Sequence, residues 1–289
     1  MTTLGAVFLP YLPPERLRSV AEAADDAGLE ELWLWEDCFR EGAIASVAAA
    51  LAWTERVRVG IGLMPVPLRN VALTAMEVAT LHRAFPGRPI AAVGHGVLDW
   101  MHQVGVGVES PVTLLREYTV ALRRLLRGEK VTFEGRYVRL DGVALNWSPE
   151  PAPPVLIGAI GPRTLRLSGE VADATLLTAD TTVAGVERAR RLVDEGRAIA
   201  GRTEPHPLIV YLSAATGPGA AERLAADVRS AGNDPDEVGV AGDAQTVAAA
   251  VQRWARAGAD TVVLQPTADD PDPEGFVRFV ANEVRPLVP

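Results

Sequence analysis

The most constraining feature of the chain is a regular alternation of short apolar segments with longer amphipathic ones. Several of the short segments are continuously apolar, which is typical of parallel strands that are buried on both faces. Each of them is followed by a stretch with helical periodicity. The alternation predicts eight strands, at residues 4–9, 32–36, 57–65, 89–96, 154–160, 174–179, 208–215 and 261–267.

Eight strand–helix units in a chain of 289 residues predict one α/β domain, a (β/α)8 TIM barrel over residues 1–289. A doubly wound open sheet is the alternative with the same alternation. An insertion after the fourth strand contains an amphipathic helix and a hairpin around Glu134 and Gly135. Because barrel active sites lie at the carboxyl ends of the strands, the residues that follow each strand form the candidate site.

Charge and composition exclude several classes of function. The chain has 28 Lys and Arg against 37 Asp and Glu, a net charge of −9, and no basic block. We therefore expect neither nucleic acid nor an anionic membrane surface as a partner. A single cysteine, no signal-peptide pattern and no apolar stretch of about 20 residues favour a cytoplasmic protein.

The only lysine, Lys130, lies in the polar segment "RGEKVTFEGRY". A Schiff-base mechanism needs a lysine amine in the site, and a P-loop needs Gly-Lys-Ser/Thr. Neither fits this segment, so aldolases of that type, pyridoxal enzymes and P-loop enzymes are not expected.

The second predicted strand ends in Glu36, Asp37 and Cys38. Adjacent residues of a strand point to opposite faces, so the two carboxylates are not expected to form a facing glycosidase pair. Cys38 has no histidine near it in sequence to act as a base, so the pattern does not favour a thiol nucleophile. No HxH or HExxH motif predicts a metal site among the four histidines, His82, His95, His102 and His206.

Three strand ends carry further signals. In "GIGLMPVPLRN", Gly60 and Gly62 indicate either a bulge that approaches a ligand or a tight barrel interior. In "VGHGV", His95 is either a proton shuttle or ligand contact, or a histidine bonded to neighbouring backbone. In "IGAIGPRTLRL", Gly161 opens a helix whose free N–H groups favour an anion such as phosphate, and Arg163 and Arg166 either add charge or are solvated.

Four segments together resemble a known family. They are "VRVGIGLMPVPLRN…ATLHRAFPGRPIAAVGHG", "LLREYTVALRRLLRGEKVTFEGRYVRLDG", "PVLIGAIGPRTLRLSGEVADATLL" and "AQTVAAAVQRWARAGADTVVLQP". In this order, over nearly the whole chain, they are similar to the luciferase-like monooxygenase superfamily. Within it, they look most like the branch that depends on the deazaflavin coenzyme F-420.

The resemblance implies a luciferase-like barrel with an insertion after strand four, and a homodimer. It implies a flavin-like ring in the barrel mouth, a bulge with a cis peptide at Gly62-Leu63 behind the ring, and a phosphate near strand five. The cofactor contacts implied are Asp37, Gly62, Leu63, His95, Gly96, Ala159, Ile160, Gly161 and Arg163.

Three departures from the family pattern limit the reaction. The sugar-phosphate dehydrogenases of this branch carry an Asp-His pair, where this chain has Asp37-Cys38, and a glutamate where it has Val97. Their phosphate-binding lysine has no equivalent, so glucose-6-phosphate oxidation is not expected. The resemblance leaves His95, Asp37 and Cys38 as catalytic candidates, with His95 favoured by its ordinary pKa.

The function implied is hydride transfer between coenzyme F-420 and a small organic substrate, since the coenzyme carries the hydride. Trp100, Met101 and Trp147 are expected either to wall the substrate pocket or to pack in the core. The alternatives are an FMN-dependent monooxygenase that uses O2 and a partner reductase, a catalytically silent F-420 or flavin binder, and a hydrolase on the same barrel.

Overall fold

The computed structural model describes residues 1–289, and its centre is a closed parallel barrel. The chain forms eleven strands: β1 Thr3–Val7, β2 Glu31–Leu34, β3 Arg58–Pro65, β4 Pro89–Gly94, β5 Val131–Glu134, β6 Arg139–Val143, β7 Val155–Gly158, β8 Ala174–Leu177, β9 Leu208–Ala215, β10 Gly239–Ala241 and β11 Thr261–Gln265. Eight of them close a ring in the order β1-β2-β3-β4-β7-β8-β9-β11, and β11 pairs with β1. The predicted (β/α)8 barrel is confirmed, and the open-sheet alternative is wrong because β8 pairs with β9.

Helices surround this barrel. They are α1 Leu17–Ala27, α2 Ala43–Trp53, α3 Val71–Ala84, α4 Leu98–Gln103, α5 Pro111–Leu126, α6 Pro162–Val171, α7 Val183–Ile199, α8 Ala220–Ser230, α9 Pro235–Val238, α10 Ala244–Arg256 and α11 Pro273–Phe279. Local chemistry sets several of their ends. The side chains of Asn70, Thr182 and Asp243 cap the first turns of α3, α7 and α10, and Gly28 ends α1 in the left-handed region at φ 75°.

The insertion between β4 and β7 contains α4, α5 and the antiparallel pair β5–β6, so the predicted hairpin is confirmed. Glu117 on α5 holds the hairpin turn. Its carboxylate accepts hydrogen bonds from the backbone N–H groups of Arg136 and Tyr137, both at 2.8 Å, and of Val138 at 3.0 Å.

The floor of the barrel is filled by one large side chain. Trp33 is fully buried, and its indole Nε1 donates to the Glu31 carboxylate at 2.9 Å. A Cβ atom on Gly60 would come within 2.5 Å of the Trp33 ring, so Gly60 is present because the barrel interior is tight. For Gly60, the interpretation as a tight barrel interior is therefore the correct one.

Three elements escaped the sequence pattern. Strand β10 is three residues long and pairs with the end of β9, helix α9 has four residues, and helix α4 has six. None is long enough to show a clear period. No helix of the structure combines the length and the apolar character needed to cross a membrane.

Candidate active site

A cavity of about 590 Å³ opens at the carboxyl ends of the barrel strands. Its volume lies within the range of small-molecule and cofactor sites. Residues from the ends of β2, β3, β4, β7, β8, β9 and β11 line it, together with the start of α6 and part of α8. The cavity therefore lies where the barrel fold places active sites.

The floor on one side is the bulge in β3. Its register against β4 shifts between Ile61 and Met64, and the Gly62-Leu63 peptide is cis, as the resemblance implied. The Leu63 side chain lies over two neighbouring strands. A Cβ atom would come within 2.5 Å of Leu63 Cδ2 at Gly94 and within 2.2 Å at Gly158. Both glycines thus leave room for an apolar side chain that faces the cavity.

Tyr211 on β9 completes the floor. Its hydroxyl donates to the Gly62 carbonyl at 3.3 Å, and a Cβ atom on Gly62 would lie 1.9 Å from that hydroxyl. The Tyr211 ring lies 5.8 Å from that of Trp35, which also lines the cavity. Burial raises the pKa of Tyr211, so the phenol stays protonated at neutral pH. Tyr211 was not predicted as a site residue, because its only signal in the sequence is an aromatic with a polar end inside a predicted strand.

The end of β2 corrects one expectation. Strand β2 ends at Leu34, so Glu36 and Asp37 lie beyond the pleat, and both line the cavity. The prediction that they face opposite sides is therefore wrong. They differ in partners instead: Arg69 binds the Glu36 carboxylate with two nitrogens, Nη1 and Nη2, the second at 3.0 Å.

Asp37 is the free carboxylate of this pair, since its side chain makes no hydrogen bond within the protein. Burial raises the pKa of the Asp37 carboxyl, and the nearby Arg40 guanidinium opposes the shift. A carboxyl group with a raised pKa that faces a cavity is suited to accept and return a proton.

Two predicted residues lie outside the cavity wall. Cys38 is half-buried beside it and does not line it, and burial raises the pKa of its thiol, as do the charges of Glu36 and Asp37. Arg163 is exposed in the first turn of α6. The structure thus brings together every predicted cofactor contact except Arg163, and both cavity-facing catalytic candidates, Asp37 and His95.

His95 lines the cavity with its ring nitrogens already engaged or covered. Nε2 lies 3.1 Å from the Thr164 hydroxyl, while Nδ1 is buried without a hydrogen-bond partner. Burial lowers the pKa of His95, and the backbone of Pro111 opposes the shift. The ring is therefore neutral at neutral pH and holds Thr164, which sequence reasoning did not single out.

The start of α6 forms another part of the wall. Gly158, Ala159, Ile160 and Gly161 line the cavity, and Gly161 is the N-cap of α6 without any side-chain cap. The first-turn N–H groups have no intrahelical partner, and the helix dipole favours negative charge there. These donors fit a phosphate group, which is the part of F-420 or FMN that the sequence analysis places at this point.

The three large residues of the insertion lie in three different environments. Trp100 lines the cavity, whereas Met101 is buried in the protein core. Trp147 is 71% exposed and its ring lies 5.3 Å from the Arg83 guanidinium, so the expectation that it either walls the pocket or packs in the core is wrong. No group of three or more His, Cys, Asp or Glu side chains is placed to hold a metal ion.

The closed barrel and its mouth cavity define a (β/α)8 protein with a small-molecule site. The family model for luciferase-like monooxygenases matches residues 3–229. The chain belongs to this family of enzymes, and the predicted family is confirmed.

Relatives of known activity narrow the comparison. The chain is 28% identical over 271 residues to a 5,10-methylenetetrahydromethanopterin reductase of Methanolobus tindarius. This alignment covers 93% of this chain and 73% of the relative. It is 28% identical over 319 residues to an F-420-dependent glucose-6-phosphate dehydrogenase of Kineococcus radiotolerans, at 95% and 93% coverage. A solved F-420-dependent secondary alcohol dehydrogenase in complex with an F-420–acetone adduct superimposes with a TM-score of 0.88, at 22% identity, over 100% of this chain and 99% of the other.

Proposed function

We propose that this protein is an oxidoreductase that transfers a hydride between coenzyme F-420 and a small organic substrate. The observation that carries the proposal is a single cavity with an apolar floor at Leu63 and Tyr211 and an uncapped helix start at Gly161. A tricyclic ring with a phosphate-bearing tail needs both features. The F-420 dependence of the Kineococcus relative, aligned over nearly the whole chain, supports F-420 as the coenzyme.

In this proposal the coenzyme is positioned by the bulge in β3, the start of α6 and the residues that follow β4 and β7. The bulge at Gly62 and Leu63 supports one face of the ring, and the first-turn N–H groups of α6 after Gly161 hold the phosphate. Gly96 and Ile160 flank these positions on the cavity wall. When bound, the coenzyme supplies the site that gives or takes a hydride.

The proton that accompanies the hydride is assigned to Asp37. It is the cavity carboxylate with no partner in the protein and a raised pKa, whereas Nε2 of His95 is bonded to Thr164. Asp37 is also one of the coenzyme contacts that the resemblance implies. Cys38 has a thiol with a raised pKa outside the cavity wall, which does not support a proton-donor role.

Parallel fluorescence titrations with F-420 and FMN test the coenzyme. We expect F-420 to bind the purified protein, Asp37→Asn to weaken that binding, and Cys38→Ala to leave it unchanged. Cys38→Ala is the matched control because it alters the neighbouring residue outside the cavity wall. Tight FMN binding with no affinity for F-420 would refute the proposal and favour the FMN-dependent monooxygenase.

We also propose that the protein is cytoplasmic, as its composition favours, and a homodimer, as the resemblance implies. Leu73 and Met76 support a contact surface, because they lie on one face of α3 and are 46% and 57% exposed. Light scattering of the wild type and of Met76→Glu tests the dimer. A monomeric wild type at micromolar concentration would contradict it.

A further inference from the structure

One wall of the cavity carries none of the residues assigned to the coenzyme. It consists of the ends of β9 and β11 with part of α8, and its polar side chains are Ser213, Gln265, Asp227 and Asn233. Strand β9 is four places from β3 in the ring of eight, so this wall faces the bulge across the barrel. A ring supported on the bulge would leave its other face toward this wall.

Of these side chains, Ser213 and Gln265 lie side by side on neighbouring strands, and neither has a partner in the protein. Ser213 is only 6% exposed and its hydroxyl makes no hydrogen bond within the chain, although it lines the cavity. Gln265, its register partner on the neighbouring strand, also has an unpaired side-chain amide on the cavity wall. Both groups are open to the cavity and free to donate and accept hydrogen bonds, so they are available to a ligand oxygen.

The charged side chains that line the cavity on this side are carboxylates. Asp227 contributes a carboxylate, and Asp180, at the end of β8, contributes another. Across the cavity, the Arg69 guanidinium is already neutralised by Glu36. A phosphate or carboxylate group placed beside Ser213 would therefore meet charges of its own sign, which is unfavourable in a partly buried site.

We infer that this wall is the substrate subsite and that it binds a small alcohol or carbonyl compound that bears no phosphate or carboxylate. The inference rests on the proposed function. In the oxidative direction the carbinol carbon gives a hydride to the bound coenzyme while the hydroxyl proton passes to Asp37. The C–O bond becomes C=O, and the two electrons lost by the alcohol reduce the coenzyme. Ser213 and Gln265 hold the oxygen throughout.

A matched set of compounds on one ring tests the chemical class. The probes are cyclohexanol, 4-aminocyclohexanol, 4-hydroxycyclohexanecarboxylic acid and 4-hydroxycyclohexyl phosphate. Binding to the protein with and without F-420 is measured by ligand-observed NMR, and turnover by the loss of F-420 absorbance. We expect the neutral and amino compounds to bind at least about tenfold more tightly than the two anions, because one unfavourable charge contact is worth about that factor.

Three variants locate the effect. Ser213→Ala is expected to weaken cyclohexanol binding about fivefold to tenfold, the usual worth of one hydrogen bond, while F-420 affinity stays unchanged. Asp227→Lys is expected to shift the preference toward the carboxylate compound. Asp236→Lys makes the same charge change on exposed α9, outside the cavity wall, and is expected to leave the preference as it is.

The outcomes separate this inference from the proposed function. The F-420 titration alone decides the coenzyme, and the NMR series without coenzyme reports on the subsite in either case. Equal or tighter binding of the phosphate compound overturns the inference, as does failure of all four probes to bind. An equal shift in preference from Asp227→Lys and Asp236→Lys overturns the placement of the subsite.

Discussion

The crossing of α6 and α7 gives the sharpest structural prediction. Gly196 lies inside α7, where a Cβ atom would come within 2.0 Å of the Arg166 carbonyl oxygen on α6. Reciprocally, a Cβ atom on Gly169 of α6 would lie 2.1 Å from the Val193 carbonyl oxygen. The obstacles are backbone atoms, which cannot rotate away as a side chain can, so Gly196→Ala must separate the helices.

Opposing effects set the expected magnitude. In an open helix interior, alanine is about 1 kcal/mol more favourable than glycine. Overpacking costs about 1–3 kcal/mol, with the upper end expected for a backbone contact. Gly196→Ala should therefore lower the free energy of unfolding by about 2 kcal/mol, against a gain of about 1 kcal/mol if the crossing had room. The sign of the change in the free energy of unfolding therefore distinguishes a close crossing from one with room for a Cβ atom.

Urea unfolding measures this change as a lower midpoint with an unchanged m value. The control is Gly42→Ala, where a Cβ atom would meet nothing within 4 Å. There the entropy lost by the unfolded chain favours the folded state and the poorer N-cap disfavours it, so we expect a change within about 0.5 kcal/mol. Because α6 starts at the coenzyme site, Gly196→Ala should also weaken F-420 binding. A raised midpoint for Gly196→Ala would refute the close crossing.

Three further predictions concern the cavity. Burial raises the pKa of Asp37, so the folded state holds this proton more tightly than the unfolded chain and stability is lost as pH rises through that range. Asp37→Asn should then raise the free energy of unfolding at neutral pH, with the gain vanishing at acidic pH, as measured by urea unfolding. Thr164→Val should lower the pKa of His95 further in NMR titrations of the coenzyme-free protein, because the hydroxyl bonds the imidazolium more strongly than the neutral ring. Gly158→Ala should push Leu63 into the cavity and weaken F-420 binding about tenfold in a fluorescence titration, at a stability loss below about 1 kcal/mol, since the Leu63 side chain can turn.

Each of these has a control within the chain. Asp236→Asn removes an exposed carboxyl outside the cavity wall and should leave the free energy of unfolding at neutral pH unchanged. Thr164→Ser restores the hydroxyl and should restore the titration of His95, and an unchanged pKa in Thr164→Val would contradict the contact. Adding Leu63→Ala to Gly158→Ala should recover binding, and a loss that persists in the double variant would show that Gly158 acts otherwise.

The barrel was predictable because its signal is local and repeated. Each strand is apolar over its own length, and each helix shows its own period, so eight weak signals add up. The bulge at Gly62 was visible for the same reason, since glycines in a strand are a local mark. The end of β2 was not, because the apolar run continues through Trp35 although the pairing with β3 stops at Leu34.

The rest of the site depends on contacts between distant residues. Tyr211 meets Gly62 across 149 positions of sequence, and His95 meets Thr164 across 69. The sequence around Tyr211 or Thr164 contains no signal that predicts such a distant partner. Sequence reasoning therefore found the residues that carry a backbone signature and missed those defined by what faces them.

The glycines at the barrel mouth explain how a packed floor and an open cavity occur together. Gly62 accommodates the Tyr211 hydroxyl, and Gly94 and Gly158 accommodate the end of Leu63. Each missing side chain is thus replaced by a larger one from another strand, which packs the floor while the space above it stays free. A larger residue at any of these positions would force a floor side chain up into the cavity. The same glycines that weaken the strands locally therefore shape the surface on which a flat ring can lie.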